Sequence, residues 1–390
     1  MIDIQNMLNP TAAAIPPSGI RKFFDIVAER KDAISLGVGE PDFVTPWHIR
    51  DAGIYSLEKG HTYYTSNAGM MPLREAVCRY LSRRFSVTYD PKTEVLITVG
   101  GSEAIDLAVR SLIGPGDEVL VPEPSFVCYT PCVTLAGGTA VPVVTREEDD
   151  FRLTAKQLRA AITPRTKLLI FPFPNNPTGG IMEKADLEEI ADVLRETNIL
   201  VLSDEIYGEL TYGAHHTSIA SIEGMQERTV LVSGFSKAYA MTGWRLGYAC
   251  GPVPLIKLMT KIHQYAIMST PTTSQYAAIE ALENGDDDIA AMREEYNHRR
   301  RLMVNGFRKM GLSCFEPRGA FYVFPSIRET GLSSEAFAET LLEEENVAVV
   351  PGNAFGSSGE GFIRCSYAYS VKNITEALTR ISRFVQKRLK

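Results

Sequence analysis

The chain has 390 residues, 45% of them hydrophobic and 22% charged, with 30 glycines and 22 prolines. These values sit near globular averages and exclude collagen-like, coiled-coil and disordered classes. Forty basic residues against 47 acidic ones give a net charge of −7, the wrong sign for a protein that binds by neutralising nucleic-acid phosphates.

No apolar run approaches the roughly 18 residues a membrane span needs. The opening Met1-Ile2-Asp3-Ile4-Gln5-Asn6 has neither a basic region nor an apolar stretch. No secretory signal is visible, and a soluble, cytoplasmic protein without a membrane or nucleic-acid partner is expected. Six cysteines are spread along the chain with no CxxC, and the six histidines show no paired-ligand spacing, so no metal site is expected. Cys128 and Cys132, four apart with no histidine nearby, read as buried thiols of a reducing compartment.

The first 40 residues, with Pro16-Pro17 and glycines at 37 and 39, read as irregular and compatible with packing on either of two bodies. From residue 95, β-rich apolar runs alternate with helical stretches: 95–99, 118–121, 140–144, 167–171, 199–203, 229–233 and 247–250. Such runs predict strands buried on both faces of a seven-stranded, mostly parallel sheet in a large α/β domain. After about residue 285 the character changes. Residues 292–309 predict a charged helix linking two units, followed by strands at 320–324, 347–350 and 362–366 and helices at 334–343 and 371–387. That is a smaller α+β unit. Within the long helix, His298-Arg299-Arg300-Arg301 follows Glu294-Glu295, the pattern of a solvated face with acidic neighbours at helical spacing.

Ligands of open α/β sheets bind beyond the carboxyl ends of the strands, and four strand exits are unusual. Gly100-Gly101-Ser102-Glu103 opens a helix over 104–112 and offers free N–H groups to an anion, although alone it reads as an ordinary turn. Phe173-Pro174-Asn175-Asn176-Pro177-Thr178-Gly179 fixes a rigid loop, and Asn-Pro also starts simple turns. Asp204-Glu205-Ile206-Tyr207 puts a carboxylate at the end of a buried strand, where it either meets a cation or caps a helix. Gly234-Phe235-Ser236-Lys237 sets a lysine among small residues, where desolvation frees an amine, the alternative being a solvent lysine. Together these supply an anion cradle, a carboxylate, an amide, a phenol and an amine. That set suits pyridoxal 5′-phosphate, which needs a Schiff-base lysine, an acid for its ring nitrogen and a phosphate site.

The segment 234–247, Gly-Phe-Ser-Lys-Ala-Tyr-Ala-Met-Thr-Gly-Trp-Arg-Leu-Gly, satisfies a known lysine-site pattern throughout. Asn175-Asn176-Pro177-Thr178-Gly179, Ser203-Asp204-Glu205-Ile206-Tyr207, Gly39-Glu40-Pro41-Asp42-Phe43, Arg318-Gly319-Ala320-Phe321-Tyr322 and Val349-Val350-Pro351-Gly352 match further blocks. From about residue 15 to 385 the chain resembles the class I/II aminotransferases of the pyridoxal-phosphate fold type I, or aspartate aminotransferase, superfamily. It is most similar to their prokaryotic aminotransferase A and aromatic aminotransferase group.

The resemblance implies that Lys237 is the Schiff-base lysine and general acid–base, that Asp204 pairs with the ring nitrogen, and that Asn176 and Tyr207 bind the phenolic oxygen. It assigns the phosphate to backbone N–H and hydroxyl groups of Gly101, Ser102 and Glu103, to Ser236 and to the Arg245 guanidinium, and the stacking aromatic to Phe126. Tyr64 is similar to the tyrosine that reaches the neighbouring subunit's phosphate, which implies a homodimer with shared sites. Arg364 matches the arginine that clamps the substrate α-carboxylate, with Gly39 and Asn176 nearby, a task suited to a planar guanidinium. The implied domains are 45–285 for the large one, and 1–44 with 286–390 for a discontinuous small one. The implied reaction is ping-pong transfer of an amino group between an α-amino acid and a 2-oxo acid such as 2-oxoglutarate.

Two departures stand out. The residue three before Lys237, often a phosphate-binding serine in relatives, is Gly234, leaving Ser233 or Ser236 to compensate. In dicarboxylate-specific relatives the partner subunit supplies a second arginine near 263–269; here no arginine occurs there and Tyr265 falls about where it would be. This implies a weaker grip on the aspartate side chain and more tolerance for aromatic or other apolar ones, the alternative being a lysine or arginine elsewhere that does the same job. A C–S lyase of the cystathionine type on the same fold is the alternative. A non-enzymatic regulator would need a further DNA-binding domain ahead of the fold, and only about 20 residues precede the first family-like segment.

Overall fold

The computed structural model describes residues 2–17, 19 and 32–389. Part of the expected irregular first 40 residues lies outside these. A short β1 (Ile34–Ser35) precedes seven strands of one sheet: β2 (Val95–Thr98), β3 (Glu118–Glu123), β4 (Thr139–Val144), β5 (Thr166–Phe171), β6 (Leu200–Asp204), β7 (Thr229–Gly234) and β8 (Gly247–Cys250). Their order is β2-β8-β7-β6-β5-β3-β4. All run parallel except β8, which is antiparallel to both neighbours. The reason is local. A parallel return needs a crossover, usually a helix, and residues 235–246 hold only a short 3₁₀ turn (Thr242–Trp244) before β8 begins.

Neighbouring residues of a central strand feed opposite cores, as a sheet covered on both faces requires. On β5, Leu168 and Ile170 pack with the helices Gly100–Leu112 and Val253–Ala266, while Leu169 and Phe171 pack with Lys184–Arg195. The expectation of two buried faces fails for β4. It is an edge strand, and within it only Val143 is buried.

A second group of elements follows. β9 (Tyr322–Val323), β10 (Val347–Ala348), β11 (Val350–Pro351) and β12 (Ile363–Ser366) make two small sheets: β11-β12-β9 antiparallel, and β1 with β10 parallel. The helices Asp286–Lys309, Ser334–Glu345 and Val371–Gln386 pack around them. The 24-residue helix Asp286–Lys309, about 36 Å long at 1.5 Å per residue, carries three aspartates in its first turn and Arg308 and Lys309 in its last. Both ends oppose the macrodipole favourably. Its Ile289 joins the core beside β2 and β8, whereas Met292, Tyr296, Met303, Val304 and Phe307 join the core of the small sheets. The basic cluster on this helix is a solvated face only in part: His298 and Arg301 are exposed. Arg299 and Arg300 are buried; Arg299 holds both oxygens of Asp42 at 2.8 Å and Arg300 holds Glu316 at 2.8 Å. The i,i+4 partner Glu295 is as expected.

The β2 exit and β8 meet backbone to backbone. A Cβ on Gly247 would stand 2.6 Å from the Gly100 carbonyl carbon and 2.7 Å from the Gly101 nitrogen, contacts that only a backbone shift can relieve. Gly247→Ala is therefore expected to destabilise the protein by about 1–3 kcal/mol, read as a lowered denaturation midpoint. An unchanged midpoint would show that this close approach is not obligatory.

Candidate active site

The four unusual strand exits meet in one cavity of about 490 Å³. Gly101, Ser102, Phe126, Asn176, Asp204, Tyr207, Ser236, Lys237, Arg245, Gly39 and Arg364 all line it. Asp204 is the last residue of β6, and Lys237 sits in the tight return between β7 and β8. The sheet fixes the acid and the amine at the exits of the adjacent strands β6 and β7.

The charges here are not paired as surface charges are. Burial brings Lys237 down to about 8 and raises Asp204 to about 6, since a poorly solvated site disfavours the charged form of either group. The Lys237 ammonium donates to the Gly39 carbonyl at 2.6 Å. Asp204 accepts from the Tyr129 hydroxyl at 2.8 Å and from the Ile206 N–H at 3.2 Å.

Arg364, on β12, is 2% exposed. It donates to Asn176 Oδ1 at 2.9 Å and to the Gly37 carbonyl, and it lies over the rings of Tyr322 and Phe355 at 4.4 and 4.8 Å. Its Nε is buried without a hydrogen-bond partner, and among the described residues no carboxylate pairs with it. Arg245 likewise has no acidic partner among the described residues; it donates to the Thr242 carbonyl at 3.0 Å. Among the described residues, two arginines and a lysine thus face one cavity whose acids are the buried Asp204 and the exposed Glu40.

Three more of the named residues do not line this cavity, two of them, Tyr64 and Tyr265, being ones whose implied place is the neighbouring subunit's site. Glu103 does not line the cavity: its carboxylate accepts from the Val99 N–H and meets His263 Nδ1 at 2.7 Å, capping its own helix. Tyr64 and Tyr265 stand outside the cavity, 78% and 84% exposed. The missing hydroxyl at Gly234 has a steric cause, because a Cβ there would meet Gly247 Cα at 2.9 Å and the Leu246 carbonyl at 3.0 Å. Of the two serines expected to compensate, Ser236 lines the cavity while Ser233 donates to the Glu205 carbonyl at 3.3 Å. Asn175, the neighbour of Asn176, holds its own loop by accepting from Thr178.

A lysine and an acid enclosed at the carboxyl edge of a seven-stranded α/β sheet define a transferase of the fold type I class. The family described as aminotransferase class I and II matches residues 31–381. The chain is 54% identical to YugH of Bacillus subtilis, described as a candidate aminotransferase, over 96% of this chain and 97% of that one. It is 45% identical to the aspartate aminotransferase of Pyrococcus abyssi, over 96% and 97%. The crystal structure of an aromatic aminotransferase from Pyrococcus horikoshii superposes with a TM-score of 0.90 at 45% identity, covering 95% of this chain and 99% of that one. The chain belongs to the class I and II aminotransferase family. It is an amino-acid aminotransferase, and nothing favours the C–S lyase alternative.

Sequence reasoning missed two phenols. Tyr129 starts a helix (Tyr129–Leu135) three residues after Phe126, and no motif marks it. Tyr322 falls inside a recognised block but received no role; its hydroxyl lies 2.8 Å from that of Tyr207.

The raised Asp204 pKa has a consequence for stability whose sign can be checked. The folded protein holds this proton more tightly than the unfolded chain does, so stability falls as pH rises from 3.8 to about 6 and stays reduced above that. In cofactor-free protein, Asp204→Asn should raise stability by up to about 3 kcal/mol at neutral pH. The gain should vanish below about pH 4, as read by thermal denaturation across pH. A gain independent of pH would contradict the assignment.

Proposed function

We propose that the chain transfers the amino group of an α-amino acid to a 2-oxo acid such as 2-oxoglutarate, with pyridoxal 5′-phosphate as cofactor and with tolerance for aromatic and other apolar side chains. The observation that carries this reading is Arg364, a buried guanidinium with an unpartnered Nε and no carboxylate, facing the same cavity as Lys237. Such a group calls for an anion supplied from outside.

The donor set fits the cofactor. Gly101, Ser102, Ser236 and Arg245 cluster at the N-terminus of the helix Gly100–Leu112 and would hold a phosphate. Asp204 would keep a ring nitrogen protonated, Asn176 and Tyr207 would bind a phenolic oxygen, and Phe126 would cover a ring face. When bound, the cofactor supplies an electron sink that weakens a bond at the substrate Cα. The rest is done by this chain. Arg364 grips the α-carboxylate bidentately and orients the amino acid. Lys237, brought to about 8 by burial, is unprotonated often enough near neutral pH to take the Cα proton and return it.

The three cationic residues lining the cavity, Lys237, Arg245 and Arg364, are all assigned to these tasks. Among the described residues no further cation lines it to hold a side-chain carboxylate, and Phe126, Tyr129 and Tyr322 supply aromatic walls. These features support an aromatic or broad donor preference over strict use of aspartate.

We assign residues 45–285 to the large domain and 1–44 with 286–390 to the small one. The homodimer is supported by an exposed apolar face: Val44, Trp47, Tyr55, Tyr63, Tyr64 and Tyr265. The segments bearing Tyr63, Tyr64 and Tyr265 are tied together by Thr272 to the Tyr63 carbonyl and Asn67 to the Met268 carbonyl. Exposed apolar side chains gathered in this way suit a partner interface, and Tyr64 would complete the other subunit's phosphate site. A cytoplasmic location fits the six free cysteines. No helix among the described residues is long and apolar enough to cross a membrane.

Lys237→Ala is expected to abolish transamination and the visible absorbance of bound cofactor while keeping the fold. Retained turnover would refute the assignment. Arg364→Ala removes one side of a buried charge contact worth about 2–5 kcal/mol, so KM for the amino acid should rise on the order of 100-fold or more. A panel of donors against 2-oxoglutarate should give ping-pong kinetics, with phenylalanine and tyrosine used at least as well as aspartate. A strong preference for aspartate would overturn the substrate reading.

A further inference from the structure

The geometry points to Tyr322 as a positioning residue that ties the phenol serving the cofactor, Tyr207, to the guanidinium serving the substrate, Arg364. This inference rests on the roles proposed above for those two residues.

Tyr322 lies on β9 and pairs with Ser366 of β12, the strand that carries Arg364. It is 1% exposed and lines the cavity. Its hydroxyl lies 2.8 Å from the Tyr207 hydroxyl, and the Arg364 guanidinium carbon stands 4.4 Å from its ring centroid. One side chain therefore touches both halves of the site. Room for its hydroxyl depends on residue 39. A Cβ on Gly39 would stand 2.4 Å from the Tyr322 oxygen, while the Gly39 carbonyl accepts from Lys237.

The direction of the phenol–phenol bond follows from charge. A cation beside a phenol stabilises negative charge on its oxygen and makes the hydroxyl a better donor. Arg364 lies directly over Tyr322, so Tyr322 donates and Tyr207 accepts. A phenol that accepts a hydrogen bond is itself a stronger donor, because hydrogen bonds in a chain polarise one another. The Tyr207 proton is thereby directed into the cavity, toward the position proposed for the cofactor's phenolic oxygen. Tyr322 thus has two separable tasks: its hydroxyl orients Tyr207, and its ring braces Arg364.

Two variants of the holoenzyme separate them. Tyr322→Phe keeps the ring and loses the hydroxyl. The midpoint of the pH-dependent absorbance change of the bound cofactor should rise by about 0.5–1 pH unit, the equivalent of one hydrogen bond. KM for the amino acid should stay within about twofold of wild type, because the cation–π contact survives. Tyr322→Leu loses both, and KM should rise roughly tenfold or more, as expected for a desolvated cation–π contact. An unchanged midpoint in Tyr322→Phe overturns the role of the hydroxyl. An unchanged KM in Tyr322→Leu overturns that of the ring. A fall in melting temperature alone, with midpoint and KM unmoved, would mark Tyr322 as purely structural. If the wild-type protein neither binds pyridoxal phosphate nor transaminates, the functional reading fails first and this inference with it.

Discussion

A guanidinium buried without an anion is the constraint on which the rest of the site depends. Arg364 is held by one amide oxygen, one carbonyl and the faces of two rings. These soften the penalty of taking a charge out of water but do not replace a carboxylate. The arrangement persists because the partners come from separate pieces of chain: Gly37 from the segment after β1, Asn176 from the exit of β5, and Tyr322 and Arg364 from the β11-β12-β9 sheet. No single element can release the arginine to solvent without disturbing the others.

The same burial pulls the amine and the acid in opposite directions on the pH scale, and both end closer to neutrality. Neither is stabilised by the other's charge as much as it is destabilised by lost solvation. Burial of this kind costs the fold stability, which an anionic, protonatable ligand would restore on binding. Function and stability are thus coupled through solvation, with the cavity tuned for what enters it.

Much of this was legible from residues alone, and the reasons are physical. Buried parallel strands leave uninterrupted apolar runs, so the seven sheet strands lie within two residues of where the sequence puts them. Their exits carry chemistry because side chains there have no packing duty. What escaped were relations between distant positions. Tyr129 meets Asp204 across 75 residues and Tyr322 meets Tyr207 across 115, and no local pattern signals such encounters. Arg299 and Arg300 look like a wet face because their spacing from Glu295 is helical, yet Asp42 and Glu316 arrive from elsewhere to bury them. The turn of the Glu103 carboxylate back to the Val99 N–H and His263 also escaped, although the group expected at the anion cradle is its backbone N–H. Backbone adjacency does not fix where a side chain points.

The glycines at 234 and 247 have a consequence for how this enzyme can diverge. They bring β7, β8 and the Gly100–Gly101 turn together through main-chain atoms alone, so the spacing between the lysine and the anion cradle is set without any side chain. Drift at neighbouring positions leaves that ruler intact. New substrate preferences are therefore free to arise at other residues lining the cavity, such as Val38 and Glu40, while the chemistry at the floor stays the same. A scaffold measured in backbone is one that evolution can re-edge without recalibrating.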